Sequence, residues 1–207
     1  MLDYVLANSG GIDEAQRFLI ERTAELHGDR AGMQITPEQG ALITFLARLV
    51  GARRAVEVGT FTGYSSLCIA KALPAHGHLL CCDISTEWTD LARQAWQRAG
   101  VADRVELRIG PALETLRALP PEEVIDISFV DADKPGYPGY FAELLPRTRP
   151  GGLILFDNVL FGGRVLDQTA DGPAAALREF NPRIAVDKRV DVVMLPIADG
   201  LTIVRKR

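Results

Sequence analysis

Two short runs of this chain, Val130-Asp131-Ala132-Asp133-Lys134 and Phe156-Asp157-Asn158, place carboxylates directly behind apolar residues. Apolar runs bounded in this way read as buried parallel strands, whose carboxyl ends form the edge of an open sheet where ligands bind. Asp131, Asp157 and Asn158 would then bring three oxygen donors to one crevice. Such a hard, partly anionic set suits Mg2+ or a similar ion such as Mn2+ or Ca2+, which keeps positions open for water and substrate oxygens. Zinc is disfavoured, because His27, His76 and His78 lie far from these runs and no Cys/His set has ligand spacing. A phenol-like hydroxyl of pKa ~10 costs about 4 kcal/mol to ionise at pH 7, and a divalent Lewis acid touching its oxygen removes much of that cost. Lys134 could accept the proton or balance the charge. Singly, each residue has a plainer reading as a helix cap, a turn residue or a solvated lysine. Together, Asp131, Asp133 and Asp157 would be a crowd of like charges without a cation.

A second constellation opens at Ala55-Val56-Glu57-Val58-Gly59, which runs into Thr60-Phe61-Thr62-Gly63-Tyr64-Ser65. The Gly59-x-x-x-Gly63 spacing lets a ligand approach the backbone, yet it is not the Gly-x-Gly-x-x-Gly that seats a pyrophosphate. Glu57 would repel a pyrophosphate and attract a cation. An adenosyl-amino-acid cofactor, cationic at its sulfonium and amino group, suits the turn better than a dinucleotide. About twenty residues beyond Gly63, Asp83 stands where an acid can accept hydrogen bonds from ribose hydroxyls, and Gly110-Pro111-Ala112 stands where adenine could be flanked. Three other readings remain open. An NAD(P)-dependent oxidoreductase shares such a sheet but would want the missing glycine pattern. A metal-independent methyltransferase acting on a base or a protein side chain would want an Asn-Pro-Pro-aromatic run after the fourth strand. A non-catalytic cofactor-binding module would leave the carboxylates idle.

The elements that must position these residues follow from the apolar pattern. Strands are expected at 55–59, 78–83, 105–109, 125–131 and 152–157, with helices beginning near Gly63, Thr86, Ala112 and Tyr137. Two helices precede them, at 13–27 and 36–50, the second opened by Thr36-Pro37-Glu38-Gln39 as a capping box. The tail reads as an antiparallel hairpin, 192–196 and 201–204, closing the sheet. The fold class expected is therefore α/β: a Rossmann-like, doubly wound, seven-stranded sheet, mostly parallel, in a single domain with N-terminal helices over 1–50 and a cofactor-binding core over 53–207. Residues 161–164 and 167–173 have the composition of an active-site loop.

Composition narrows the partners. The 207 residues carry 23 basic and 27 acidic side chains, a net charge of −4, and 47% are hydrophobic. One sizeable core is expected, with no general attraction to nucleic acid or anionic lipid. Cys68, Cys81 and Cys82 are odd in number and lie in apolar surroundings, which favours packing roles in a reducing, cytoplasmic setting. No signal-like N-terminus and no membrane-length apolar run is present.

With these residues in place, the chain resembles the caffeoyl-CoA and catechol O-methyltransferase family, cation-dependent enzymes that use S-adenosylmethionine, over nearly its whole length. The resemblance is carried by Met33-Gln34-Ile35-Thr36-Pro37-Glu38-Gln39-Gly40, Glu57-Val58-Gly59-Thr60-Phe61-Thr62-Gly63-Tyr64-Ser65, Val130-Asp131-Ala132-Asp133-Lys134 and Phe156-Asp157-Asn158-Val159-Leu160, in family order. It implies cofactor contacts at Met33, Ile35, Glu57, Gly59, Thr60, Phe61, Gly63, Ser65, Asp83, Ala112, Asp131 and Asp133, with the segment from Met33 closing over the cofactor. It implies metal ligands at Asp131, Asp157 and Asn158, a role for Lys134 in deprotonating the acceptor hydroxyl, and a homodimer. Where the family often has Trp after Leu160, and some members Asn next, this chain has Phe161-Gly162; with the short segment before Met33, this turns the expectation from an acyl-CoA ester to a small aromatic vicinal diol.

Overall fold

A computed structural model of the chain describes residues 2–122 and 124–207. Seven strands form one sheet: β1 Arg54–Val58, β2 His78–Asp83, β3 Val105–Ile109, β4 Ile125–Val130, β5 Thr148–Asp157, β6 Val190–Leu195 and β7 Leu201–Lys206, in the order β3-β2-β1-β4-β5-β7-β6. The first five strands pair in parallel, and β7 joins β5 and β6 antiparallel, as the sequence pattern anticipates.

The doublets of apolar residues along the strands explain why both faces are covered. Ala55, Leu79, Cys81, Phe129 and Leu155 point to one face, under α2 Glu14–His27, α3 Pro37–Leu49, α4 Tyr64–Ala72 and α5 Thr86–Arg98. Their neighbours Val56, Leu80, Cys82, Val130 and Phe156 point to the other, under α6 Ala112–Arg117, α7 Tyr137–Arg147 and α8 Gly172–Ala185. Alternating side-chain direction turns each continuous apolar run into two half-cores. The three cysteines are free and buried within these layers. No helix of the described residues is long and apolar enough to cross a membrane.

The structure differs from the sequence reading in four places. A short helix, α1 Leu2–Ala7, precedes the expected ones, and α8 follows the loop where the sequence reading assigns no helix. β5 begins at Thr148, four residues before the expected start, because Pro150-Gly151-Gly152 still runs in strand conformation beyond a register shift against β4. The expected capping box at Thr36 does not form: its hydroxyl makes no capping bond and has no partner. A capping box stands instead at Asp13, whose carboxylate accepts from the Gln16 amide while the Gln16 side chain accepts from the Asp13 amide.

Asp126 fixes the amino-terminal edge of the sheet. Its Oδ2 accepts the amides of Arg53 and Arg54, each at 2.8 Å, and its Oδ1 accepts from Arg149 Nε at 2.5 Å, so one carboxylate ties the starts of β1, β4 and β5. Burial alone would raise its pKa, but the Arg149 guanidinium and the two amides outweigh burial and hold it below the usual 3.8. A depressed native pKa contributes stability that is present above the unfolded value and lost as pH falls through the native one. Asp126→Asn is expected to cost about 1–3 kcal/mol at pH 7. Its melting temperature should fall by roughly 3–10 °C, and the gap from wild type should narrow in thermal melts taken below pH 3.8. A gap that stays constant as the pH is taken well below 3.8 would show that the carboxylate's charge is not the source.

Candidate cofactor and metal site

The carboxyl ends of β1, β2, β4 and β5 open into one cavity of about 760 Å³. Its floor is the turn after β1. Gly59 has φ +88 and Gly63 φ +92, backbone that favours glycine, and a Cβ on Gly59 would lie 2.0 Å from the Asp131 carbonyl oxygen. Only a residue without a side chain lets β1 and β4 come this close. Gly63 then starts α4 as its N-cap.

Asp83, at the end of β2, holds the turn in shape. Its Oδ2 accepts the amides of Thr60 at 2.9 Å and Phe61 at 2.8 Å, and its Oδ1 accepts the Ser85 amide at 2.8 Å. Phe61 lies between the rings of His27, at 5.5 Å, and Trp88, at 5.4 Å. On the N-terminal side, the Thr23 hydroxyl donates to the Thr62 hydroxyl at 2.9 Å in a buried contact that fastens α2 to the turn. The floor of the cavity is thereby hydrogen-bonded to β2 and α2 and packed by a ring contact against α5, which fixes its shape.

Met33, Ile35, Gly59, Thr60, Phe61, Gly63, Ser65, Asp83, Ala112, Asp131, Asp133, Lys134 and Asn158 all line this cavity. Two of the residues singled out from sequence do not. Asp157 is buried behind Asn158, whose amide donates to its Oδ1 at 2.7 Å. Glu57 lies beneath the turn, fully buried, because strand alternation points it away from Val56 and Val58 into the α3–α4 layer. The cavity also takes in residues to which the sequence reading gives no cofactor role. Ile84 and Trp88 add apolar walls next to Asp83, Tyr140 donates to Asp133 Oδ1 at 2.6 Å, and Asp199 reaches in from the β6–β7 turn. A tryptophan in the first turn of the helix that follows β2 and Asp83 is the one signal that could have disclosed this wall; Asp199 lies 41 residues beyond Asn158 and had none.

At the other end of the cavity, Lys134 is 8% exposed and uses all three of its N–H donors on Asp131 Oδ1 at 3.0 Å, Asn158 Oδ1 at 2.9 Å and Tyr137 Oη at 2.8 Å. Tyr137 in turn donates to the Asp157 carbonyl at 2.8 Å, so one buried phenol braces the end of β5 against the lysine. Burial first and the neighbouring charge of Asp131 second hold the Asp157 carboxyl well above the usual carboxylate range. Among the described residues, no group of three or more His, Cys, Asp or Glu side chains is arranged to hold a metal. The set here is two carboxylates and one amide oxygen. An ammonium group already rests on two of these oxygens, so the donors are disposed around positive charge, and their oxygen chemistry fits a hard divalent cation.

Comparison with known proteins gives this fold a family. The model of a family described as O-methyltransferase matches residues 9–207. A probable caffeoyl-CoA O-methyltransferase 1 of Dictyostelium discoideum is 39% identical over 211 aligned residues, covering all of this chain and 91% of the relative. The O-methyltransferase TomG from Streptomyces achromogenes, solved in complex with SAM, superposes with a TM-score of 0.86 at 34% identity, over 94% of this chain and 90% of that one. An O-methyltransferase from Bacillus cereus in complex with SAH gives a TM-score of 0.89 at 31% identity, over 99% and 96%.

Proposed function

Since the chain belongs to the O-methyltransferase family and is an S-adenosylmethionine-dependent enzyme of the caffeoyl-CoA type, we propose that its acceptor is a small aromatic vicinal diol. In this reading a divalent cation, Mg2+ foremost, is held by Asp131, Asp157 and Asn158, and Lys134 receives the proton of the hydroxyl to be methylated. The observation that carries it is the meeting of Asp131, Asn158 and Lys134 within 3.0 Å at the end of the cofactor cavity. When bound, S-adenosylmethionine supplies the methyl group as an electrophile and the cation supplies Lewis acidity at the acceptor oxygens.

The remaining work falls to the chain. Methyl transfer needs no protein nucleophile, so the walls must hold an ionised oxygen in line with the methyl and keep water away. Asp83, Ile84 and Trp88 occupy the nucleoside end, while Phe161 and Asn158 wall the acceptor end. Lys134 Nζ, held by Asp131 and Asn158, stands at the acceptor end; once its ammonium has released to solvent one of the three protons it now donates, the neutral amine has the lone pair that takes up the proton leaving the acceptor. The Phe161 ring supports a flat aromatic acceptor, and Gly162 commits its amide to Asp199 Oδ1 at 2.6 Å and has no side chain with which to grip an ester arm. The oxidoreductase alternative is set aside by the family assignment.

The test is a methyl-transfer assay over catechols, flavonoids and hydroxycinnamoyl esters, run with Mg2+ and with excess chelator. Methylation of simple catechols is expected, falling by about a hundredfold or more when the cation is withdrawn. Undiminished turnover in chelator would make the enzyme a metal-independent methyltransferase, and activity confined to the CoA esters would overturn the choice of acceptor.

A further inference from the structure

Glu57 is the one acidic side chain of the cofactor end that touches no ligand space. It is 0% exposed, neither carboxyl oxygen has a hydrogen-bond partner, and the nearby Thr60 hydroxyl is also unpartnered. Such a group is costly as an ion, because only the nearby Ser65 and Thr60 hydroxyls and the Cys81 thiol, none within regular hydrogen-bond geometry, stand in for the water removed from it. None of the side chains that act most strongly on it is positively charged. From the turn comes Thr60, from α4 Ser65 and Cys68, from β2 the thiols of Cys81 and Cys82 and the carboxylate of Asp83. From β4 comes Phe129, its register partner across the pair. Yet four of these neighbours, Thr60, Ser65, Cys82 and Asp83, also line the cofactor cavity, so Glu57 lies one residue layer below that cavity.

We propose that Glu57 is a proton-linked positioning residue: it waits beneath the turn as a neutral acid and releases its proton to solvent when the cationic amino-acid end of the cofactor settles above it. The released proton goes to buffer, and the carboxylate left behind supplies a negative charge under the turn, where the neighbouring Asp83 carboxylate is already committed to backbone amides. Burial, with Asp83 adding repulsion and Ser65, Thr60 and Cys81 offsetting part of it, raises the free acid to about 7, so both protonation states are within reach near neutral pH. The inference rests on the cofactor alone and is independent of the metal and of the acceptor.

Linkage fixes the sign. A bound cation lowers the carboxyl's pKa, so cofactor affinity rises as pH rises from the bound value to the free value and levels off above it. One unit of lowering corresponds to a tenfold gain. Calorimetric titration with S-adenosylhomocysteine and with S-adenosylmethionine, in two buffers of different ionisation enthalpy, counts the protons released. Wild type should release about half a proton per cofactor at pH 7 beyond whatever Glu57→Gln releases, and its affinity should climb about five- to tenfold more steeply than the variant's between pH 5.5 and 8. Equal proton counts and parallel affinity profiles would overturn the proposal. Should Glu57→Gln not fold, infrared difference spectra decide instead. Cofactor added to wild type and to Asp157→Asn should abolish the same protonated-carboxyl band in both. Survival of that band in either would also overturn it.

Discussion

Asp157→Ala is expected to lower kcat/KM for a catechol by about a thousandfold, the factor separating a phenol of pKa ~10 from its ionised form at pH 7. Asp157 is placed to do this by two features of the fold. It ends β5, the strand next to β4 on the cofactor edge, and its burial beside Asp131 leaves a carboxylate without a cation of its own, since Lys134 spends its three donors elsewhere. A cation bound there removes the like-charge repulsion that burial aggravates. S-adenosylhomocysteine affinity should stay within about threefold of wild type, because Asp157 does not line the cofactor cavity. Full turnover by the variant would remove the metal from the mechanism, and a parallel loss of cofactor affinity would mean that the substitution had damaged the turn instead.

The second large effect is expected at Lys134. Lys134→Met keeps the length of the side chain and removes the amine, and kcat should drop by about a hundred- to ten-thousandfold, the usual contribution of a positioned proton acceptor. The structure adds a readout that distinguishes this from general damage. With the amine gone, Asp131 Oδ1 and Asn158 Oδ1 lose the donor they now share. The metal-free variant should therefore melt earlier than wild type, and Mg2+ should raise its melting temperature by more than it raises that of wild type, because no ammonium competes for the oxygens. Turnover within threefold of wild type would exclude Lys134 from proton transfer. A metal shift equal to that of wild type would mean that the lysine and the cation do not share the site.

Much of this molecule can be read from its residues. The apolar doublets disclose a sheet covered on both faces, and carboxylates at the ends of two such runs disclose the edge where the site lies. What is harder to read has physical reasons. α8 carries Pro182 and opens with Gly172 and Pro173, so its composition resembles the loop before it, and only packing of Ala174, Leu177, Phe180 and Ile184 against the sheet makes it a helix. α1 has six residues, too few for a periodic signal. Thr36 has the residue types of a capping box, but its hydroxyl is buried without turning to the helix amides. Within the site, Glu57 belongs to the motif yet faces away from the cavity, because the two-residue period of β1 decides its direction. Asp199 enters from an element distant in sequence, which spacing cannot bring to the site, whereas Trp88 stands only five residues beyond Asp83 and was legible in principle.

The loop that walls the acceptor end has its own moorings. Gly162 is held by Asp199 of the β6–β7 turn, Arg178 of α8 donates to the carbonyls of Asp167 at 2.7 Å and Ala170 at 3.0 Å, and Asn181 of α8 donates to the carbonyl of Val159 at 3.0 Å. None of these anchors belongs to β1, β2 or β4, which carry the cofactor turn, Asp83 and Asp131. The wall is in this sense a replaceable cartridge. An engineer could exchange residues 161–171 together with their α8 fastenings and retune which acceptors are admitted, leaving the transfer chemistry on its own scaffold.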